Sequence, residues 1–138
     1  MKIKVVALAV LVALAGCAAR TPQQQAERDE IHYGATLRTY QQVLTPGMAR
    51  KQVEDYLHTQ NVPYTQLCCV ESDHKHSLDD ITKIGHERKP WYCSENNVYV
   101  AFVFSDQHHH PNKHEFGDAD DMDTLKEVSI FHWLEGCL

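Results

Sequence analysis

The sequence predicts an α+β domain in which two N-terminal helices pack on a three- or four-stranded antiparallel sheet braced by disulfides. Three observations lead there. Apolar residues recur at helical spacing between residues 33 and 58, the period shortens to two from residue 64 onward, and five cysteines stand in a chain that opens on an export-type leader.

Tyr33, Leu37, Tyr40 and Leu44 fall at i, i+4, i+7 and i+11, one stripe of a first helix that begins at about Glu30. Gly34 lies inside it and weakens it by ~1 kcal/mol relative to alanine. Thr45-Pro46-Gly47 then breaks the chain, because proline disfavours helical geometry in the residue before it and glycine admits positive φ. A second helix follows over residues 49–58, burying Val53 and Leu57 with Met48 leading in, and Asn61-Val62-Pro63 ends it. Residues 64–70 and 81–86 are strand candidates. Residues 98–104 carry the strongest strand signal: Val98, Val100, Phe102 and Phe104 share one face, and Tyr99, Ala101 and Val103 make the other nearly as apolar. Such a strand belongs in the middle of a sheet. Ser94-Glu95-Asn96-Asn97 offers turn chemistry just before it, and residues 125–134 supply a last strand through Val128, Ile130, Phe131 and Trp133.

The 138 residues carry 13 basic and 19 acidic side chains, for a net charge of −6. Losing Lys2 and Lys4 with the leader leaves 11 against 19, or −8. A chain this acidic, without a run of Lys or Arg, is repelled by phosphate backbones, which argues against nucleic acid as a partner. An apolar fraction of 43% suffices for a modest core and argues against wholesale disorder.

Lys2 and Lys4 precede an unbroken apolar run over residues 5–15, too short to cross a bilayer and the right size for the centre of a secretory signal. Leu14-Ala15-Gly16-Cys17 closes it and resembles the lipobox of bacterial lipoproteins at all four positions. The resemblance implies that residues 1–16 are removed and that Cys17 becomes the lipidated first residue. Residues 17–29 would then be a flexible lipidated tether, and residues 30–138 a single periplasmic domain. Ala18, where an aspartate would signal retention at the inner membrane, implies the outer membrane. The competing reading is an ordinary secretory signal cut after Ala18 or Ala19.

The segment from Pro46-Gly47-Met48-Ala49 through Val53 to Leu57 resembles the Gly-Met-Thr/Ser-x-x-x-Val-x-x-x-Leu turn-helix motif of the SmpA/OmlA (BamE-like) small outer-membrane lipoproteins. In that family the glycine turns the chain, a hydroxyl caps the helix and the two apolar residues seat it on the sheet. Ala49 departs from the motif, and losing such a cap typically costs ~1 kcal/mol. The resemblance implies a non-catalytic role in assembling or maintaining outer-membrane proteins.

With Cys17 lipidated, Cys68, Cys69, Cys93 and Cys137 remain as disulfide candidates in an oxidising compartment. Neighbours in a strand point to opposite faces, so Cys68 and Cys69 are expected to reach distant partners: one pairs with Cys93, the other with Cys137, in either order. A zinc or redox centre is the competing reading, opposed by the lack of a Cys-x-x-Cys pair. Pro90-Trp91-Tyr92 is expected to pack around the disulfide at Cys93.

Residues 106–123 form a long connection rich in His and Asp. It is expected to be a solvated loop, with divalent Zn, Ni or Cu binding as the alternative through His108, His110, His114 and Asp118. His74-Lys75-His76 is read as exposed loop. No nucleophile elbow, His-Glu-x-x-His, Walker loop or dinucleotide-binding glycine pattern occurs. Ser94 has no evident base, and His132 is expected in the core or on a sheet face. No small-molecule substrate or resident cofactor is implied. The expected function is a non-enzymatic, lipid-anchored envelope protein that binds another protein. The alternative is a divalent-metal-binding envelope lipoprotein acting through the His/Asp-rich loop.

Overall fold

The computed structural model describes residues 21–68, 78–105 and 119–138. Within them, α1 (Pro22–Val43) and α2 (Arg50–Thr59) precede β1 (Thr65–Leu67), β2 (Asp79–His86), β3 (Glu95–Ser105) and β4 (Thr124–Glu135). The strands form one antiparallel meander in the order β1-β2-β3-β4. The α+β class and the antiparallel sheet therefore stand as expected, with four strands.

The doubly apolar strand is internal. On one face of β3, Val100, Phe102 and Phe104 join Leu125 and Val128 of β4, and Leu44, Val53 and Leu57 close over them in a single buried cluster. Each such side chain contributes about 1.5–3 kcal/mol by leaving water. Residues Leu125 and Val128 are three apart, an odd spacing that would put them on opposite faces of a regular strand. A register shift between Val103 and Phe104 removes the conflict, pairing Phe102 with Val128 and Phe104 with Leu125.

α1 runs along this face from one end of the sheet to the other. Near its middle the Tyr33 hydroxyl donates to the His86 carbonyl at 3.1 Å, and further on the Gln41 amide donates to the Val128 carbonyl at 2.9 Å. The helix begins at Pro22, not at Glu30, so residues 22–29 are helical where a flexible tether was expected. The cause is local: Thr21 accepts from the Gln24 amide, the Gln24 side chain accepts from the Thr21 amide, and Pro22 supplies a preset first helical φ.

Gly47, at φ 94°, turns the chain between the helices as expected. Its amide donates to the Leu125 carbonyl, and the Leu125 amide donates to Met48, so this linker pairs with the start of β4. Ala49 makes no side-chain cap. Backbone carbonyls serve in place of the missing hydroxyl, since Asp123 accepts from the Arg50 amide at 2.7 Å and Asp121 from the Lys51 amide at 3.3 Å.

The two ends of the sheet carry different elements. The Trp91 end carries the β2–β3 connection, the finish of β4 and the N-terminal half of α1. The Arg50 end carries the starts of β2, β4 and α2.

Candidate functional site

The opposite sheet face, facing away from the helices, carries a row of partly exposed aromatic rings beside a pair of carboxylates. Its centre is apolar: Ile81, Ala101 and Val103 cluster there with Leu67, Tyr99 and Phe131. Toward the Trp91 end three rings follow one another. Tyr99 and Phe131 are direct cross-strand partners, Trp133 is the partner of Asn97, and all three ring centroids lie 6.2 to 6.3 Å apart. Such spacing is typical of aromatic pairs and is worth about 0.5–1.5 kcal/mol per pair beyond burial. Trp133 remains 37% exposed.

The aromatic row ends on a pair of carboxylates. Glu95 and Glu135 face each other across β3 and β4, an arrangement that like charges ordinarily disfavour. Asn97, buried beneath them, resolves it: its amide nitrogen donates to Glu95 Oε2 at 2.7 Å and to Glu135 Oε1 at 2.9 Å. The Asn97 hydrogen bond, followed by Lys83 at 3.7 Å, holds the Glu95 carboxyl below its ordinary range. Burial, reinforced by the Glu135 carboxylate that accepts from its hydroxyl at 3.1 Å, pushes the Tyr99 phenol up. The face thus presents neutral rings beside fixed negative charge.

A second concentration of charge is internal. Arg50, 1% exposed, donates to Asp80 at 2.7 Å, to Asp123 at 3.3 Å and to the Leu78 carbonyl, and its guanidinium lies 3.9 Å from the centroid of the Phe104 ring. One cation serves two buried carboxylates. Asp80 Oδ2 and Asp123 Oδ1 accept no hydrogen bond among the described residues. Burial outweighs the attraction of Arg50 and, with Glu54 adding repulsion, pushes Asp80 up to about 7. Tyr64, beside it, is pushed up to about 12 by burial and by Glu54. The cluster locks α2 to the starts of β2 and β4, and its residues escape sequence reasoning because only the fold brings them together. Asp123 in particular lies in the acidic connection expected to be solvated, yet it is buried and accepts from the Asp120 amide.

Cys93 pairs with Cys137, which overturns both expected connectivities. Cys68 is also disulfide-bonded, and its partner lies outside the described residues. The reason is the length of the sheet. Cys68 follows β1 at the Arg50 end, whereas Cys93 and Cys137 meet at the Trp91 end, roughly 20–25 Å away along an eight-residue strand. Disulfide geometry cannot span that gap.

The expected packing of Trp91 on the disulfide is likewise corrected. Trp91 is 90% exposed, and the Cys93–Cys137 bond ties strand ends at the rim of the sheet without the indole packing over it. Ser94 donates its hydroxyl to the Glu135 carbonyl at 2.9 Å. His132 lies exposed on the helix-side sheet face, 3.5 Å from Glu87. It borders a groove of about 760 Å³ between α1 and the sheet, lined also by Pro22, Tyr33 and Arg88.

Cys17, Cys69, His108, His110, His114 and Asp118 lie outside the described residues. Among the described residues no group of three His, Cys, Asp or Glu side chains is placed to hold a metal ion, and no helix is long and apolar enough to cross a membrane. No family model, curated protein or solved structure matches the chain.

Proposed function

We propose that this chain is a non-enzymatic lipoprotein of the bacterial envelope, anchored through Cys17, whose α+β domain binds another protein through the sheet face opposite its helices. The observation that carries the reading is the row of Tyr99, Phe131 and Trp133 ending on the Asn97-braced pair of Glu95 and Glu135. Exposed aromatic residues are the commonest anchors of protein interfaces, and a carboxylate pair beside them selects a partner that brings a basic side chain next to an apolar one. A cation entering there gains both the ring faces and the two carboxylates. The lipobox at Leu14-Ala15-Gly16-Cys17 supports the anchor, and the Gly47-Met48 turn leading into a helix seated by Val53 and Leu57 supports a role in outer-membrane assembly or maintenance.

The test is photocrosslinking in the native envelope from a reactive amino acid at Trp133, with Gln42 on the outer face of α1 as the comparison. Expected is a discrete adduct from position 133 that disappears in the Glu95→Lys/Glu135→Lys variant. Identical adducts from both positions would remove the proposed face. Incorporation of labelled palmitate into wild type and not Cys17→Ser tests the anchor separately.

A further inference from the structure

We infer that the Trp91 end of the domain is a second membrane contact, a rigid aromatic and basic turn that rests in the headgroup layer of the bilayer to which Cys17 is joined. The inference rests on the lipid-anchor reading and adds to it a site and an orientation. Trp91 is 90% exposed and Tyr92 is exposed beside it, with the two rings packed edge to face at 5.8 Å. The turn is stiff. Cys93 is bonded to Cys137, the Leu138 amide donates to the Tyr92 carbonyl at 2.9 Å, and Ser94 is held by the Glu135 and Gly136 carbonyls. An indole that exposed costs the domain little ordering entropy when it binds, because the backbone beneath it is already fixed.

One residue ahead of the rings, before Pro90, stand Arg88 and Lys89, the one pair of adjacent exposed basic residues among the described ones, with the Lys89 ammonium donating to the Ser94 carbonyl at 2.7 Å. Tryptophan and tyrosine favour the interfacial layer, with the ring in its apolar part and the N–H or O–H toward water, and neighbouring cations find lipid phosphates there. Leu138, wholly exposed and tied to Tyr92, adds an apolar side chain to the same patch.

The lipid is close enough. Pro22, the first residue of α1, lines the same groove as Arg88. Four residues separate it from Cys17, and the five Cα–Cα steps bound the reach to at most about 17 Å even when fully extended. A domain held that near its lipid must turn some surface toward the bilayer, and the end that carries Pro22 is the end that carries Trp91.

The experiment uses the full lipidated chain reconstituted into vesicles of phosphatidylethanolamine and phosphatidylglycerol, with Trp133→Phe introduced so that Trp91 is the sole indole. Flotation of the chain with the vesicles reports the anchor. Trp91 emission, its quenching by brominated lipid and its protection from aqueous iodide report the contact. Expected is a blue-shifted Trp91, quenched by lipid brominated near the headgroups and severalfold less accessible to iodide than in detergent-free buffer after enzymatic release of the domain from its lipid. Arg88→Glu/Lys89→Glu should restore most of the iodide accessibility while the chain still floats. A chain that floats with Trp91 fully open to iodide overturns this contact and leaves the anchor standing. A chain that does not float overturns both. Protection that arises only in native membranes, and not in protein-free vesicles, assigns the turn to a protein partner and overturns the lipid contact.

Discussion

Replacing Arg50 with methionine keeps the apolar stem over Phe104 and removes the positive charge paired with the Asp80 and Asp123 carboxylates at the Arg50 end. Removing one partner of a buried ion pair costs about 3–5 kcal/mol because it strands the other, and small domains hold only ~5–15 kcal/mol in total. The loss must depend on pH. Asp80 titrates in the folded wild type near 7, above its unfolded value of 3.8, so the folded state binds the extra proton between those values. Its contribution is therefore largest below the unfolded pKa and falls as pH rises toward 7. Without Arg50 the folded-state value moves higher still, and the stranded charge is felt most at pH 8. Urea unfolding followed by far-UV circular dichroism at pH 5 and pH 8, with disulfides intact, measures both. The variant should lose about 3–5 kcal/mol at pH 8 and markedly less at pH 5, and adding Asp80→Asn should recover much of the difference. An equal loss at both pH values would assign Arg50 a packing role and refute the electrostatic reasoning, as would a loss under ~1 kcal/mol at pH 8.

Two further predictions concern the frame. Cys93→Ser/Cys137→Ser opens a loop whose ends are 44 residues apart and should lower stability by up to about 4 kcal/mol in the chain-entropy description, measured as a fall in the urea midpoint against wild type under oxidising conditions. Gly85→Ala places a Cβ 2.6 Å from the Tyr33 hydroxyl oxygen and 2.7 Å from its ring, so the Tyr33 side chain, or α1 with it, must shift. A loss of about 1–3 kcal/mol is expected, largely abolished in the Tyr33→Ala background, and an additive double variant would show that the helix does not pack there.

How far the sequence was legible depends on whether a signal is local. Residues 98–104 announce a central strand because both faces are apolar, and the structure extends that strand to Glu95–Ser105. The Gly47 turn and the Val53/Leu57 anchor are equally local. The start of α1 was legible too, in Thr21-Pro22 followed by Gln24, but three glutamines made the segment resemble a tether on composition alone. Asp79 and Asp80 hide the start of β2, since paired acids argue against a strand until Arg50 arrives from another element. The disulfide pairing was illegible for the same reason: which cysteines meet depends on which end of the sheet each occupies, a property of strand order. The aromatic sheet face falls between these cases. Tyr99, Phe131 and Trp133 each fall in a strand the sequence predicts, but only the β3–β4 register aligns them and sets Asn97 under Glu95 and Glu135.

The early start of α1 would change what the proposed anchor can do. A flexible lead over residues 17–29 would have a root-mean-square reach of about 20 Å and would let the domain present any surface to the bilayer. With the helix beginning at Pro22, five residues remain, and even a freely jointed link of that length reaches only about 12 Å. With a lipid at Cys17, the two hydrogen bonds between the Thr21 and Gln24 backbone and side chains would convert a leash into a mount. Seated on its Trp91 end, the domain would stand with β3 and β4 rising from the membrane and with the row of Tyr99, Phe131 and Trp133 low on one side. A partner carrying a basic side chain would then be met close to the lipid surface, where an envelope protein that handles other membrane proteins has use for it. The connections through residues 69–77 and 106–118 depart from the opposite end of the sheet. If the proposed anchor and lipid contact hold, the anchor, the turn and the aromatic face would act together, and the experiments above read each of them separately.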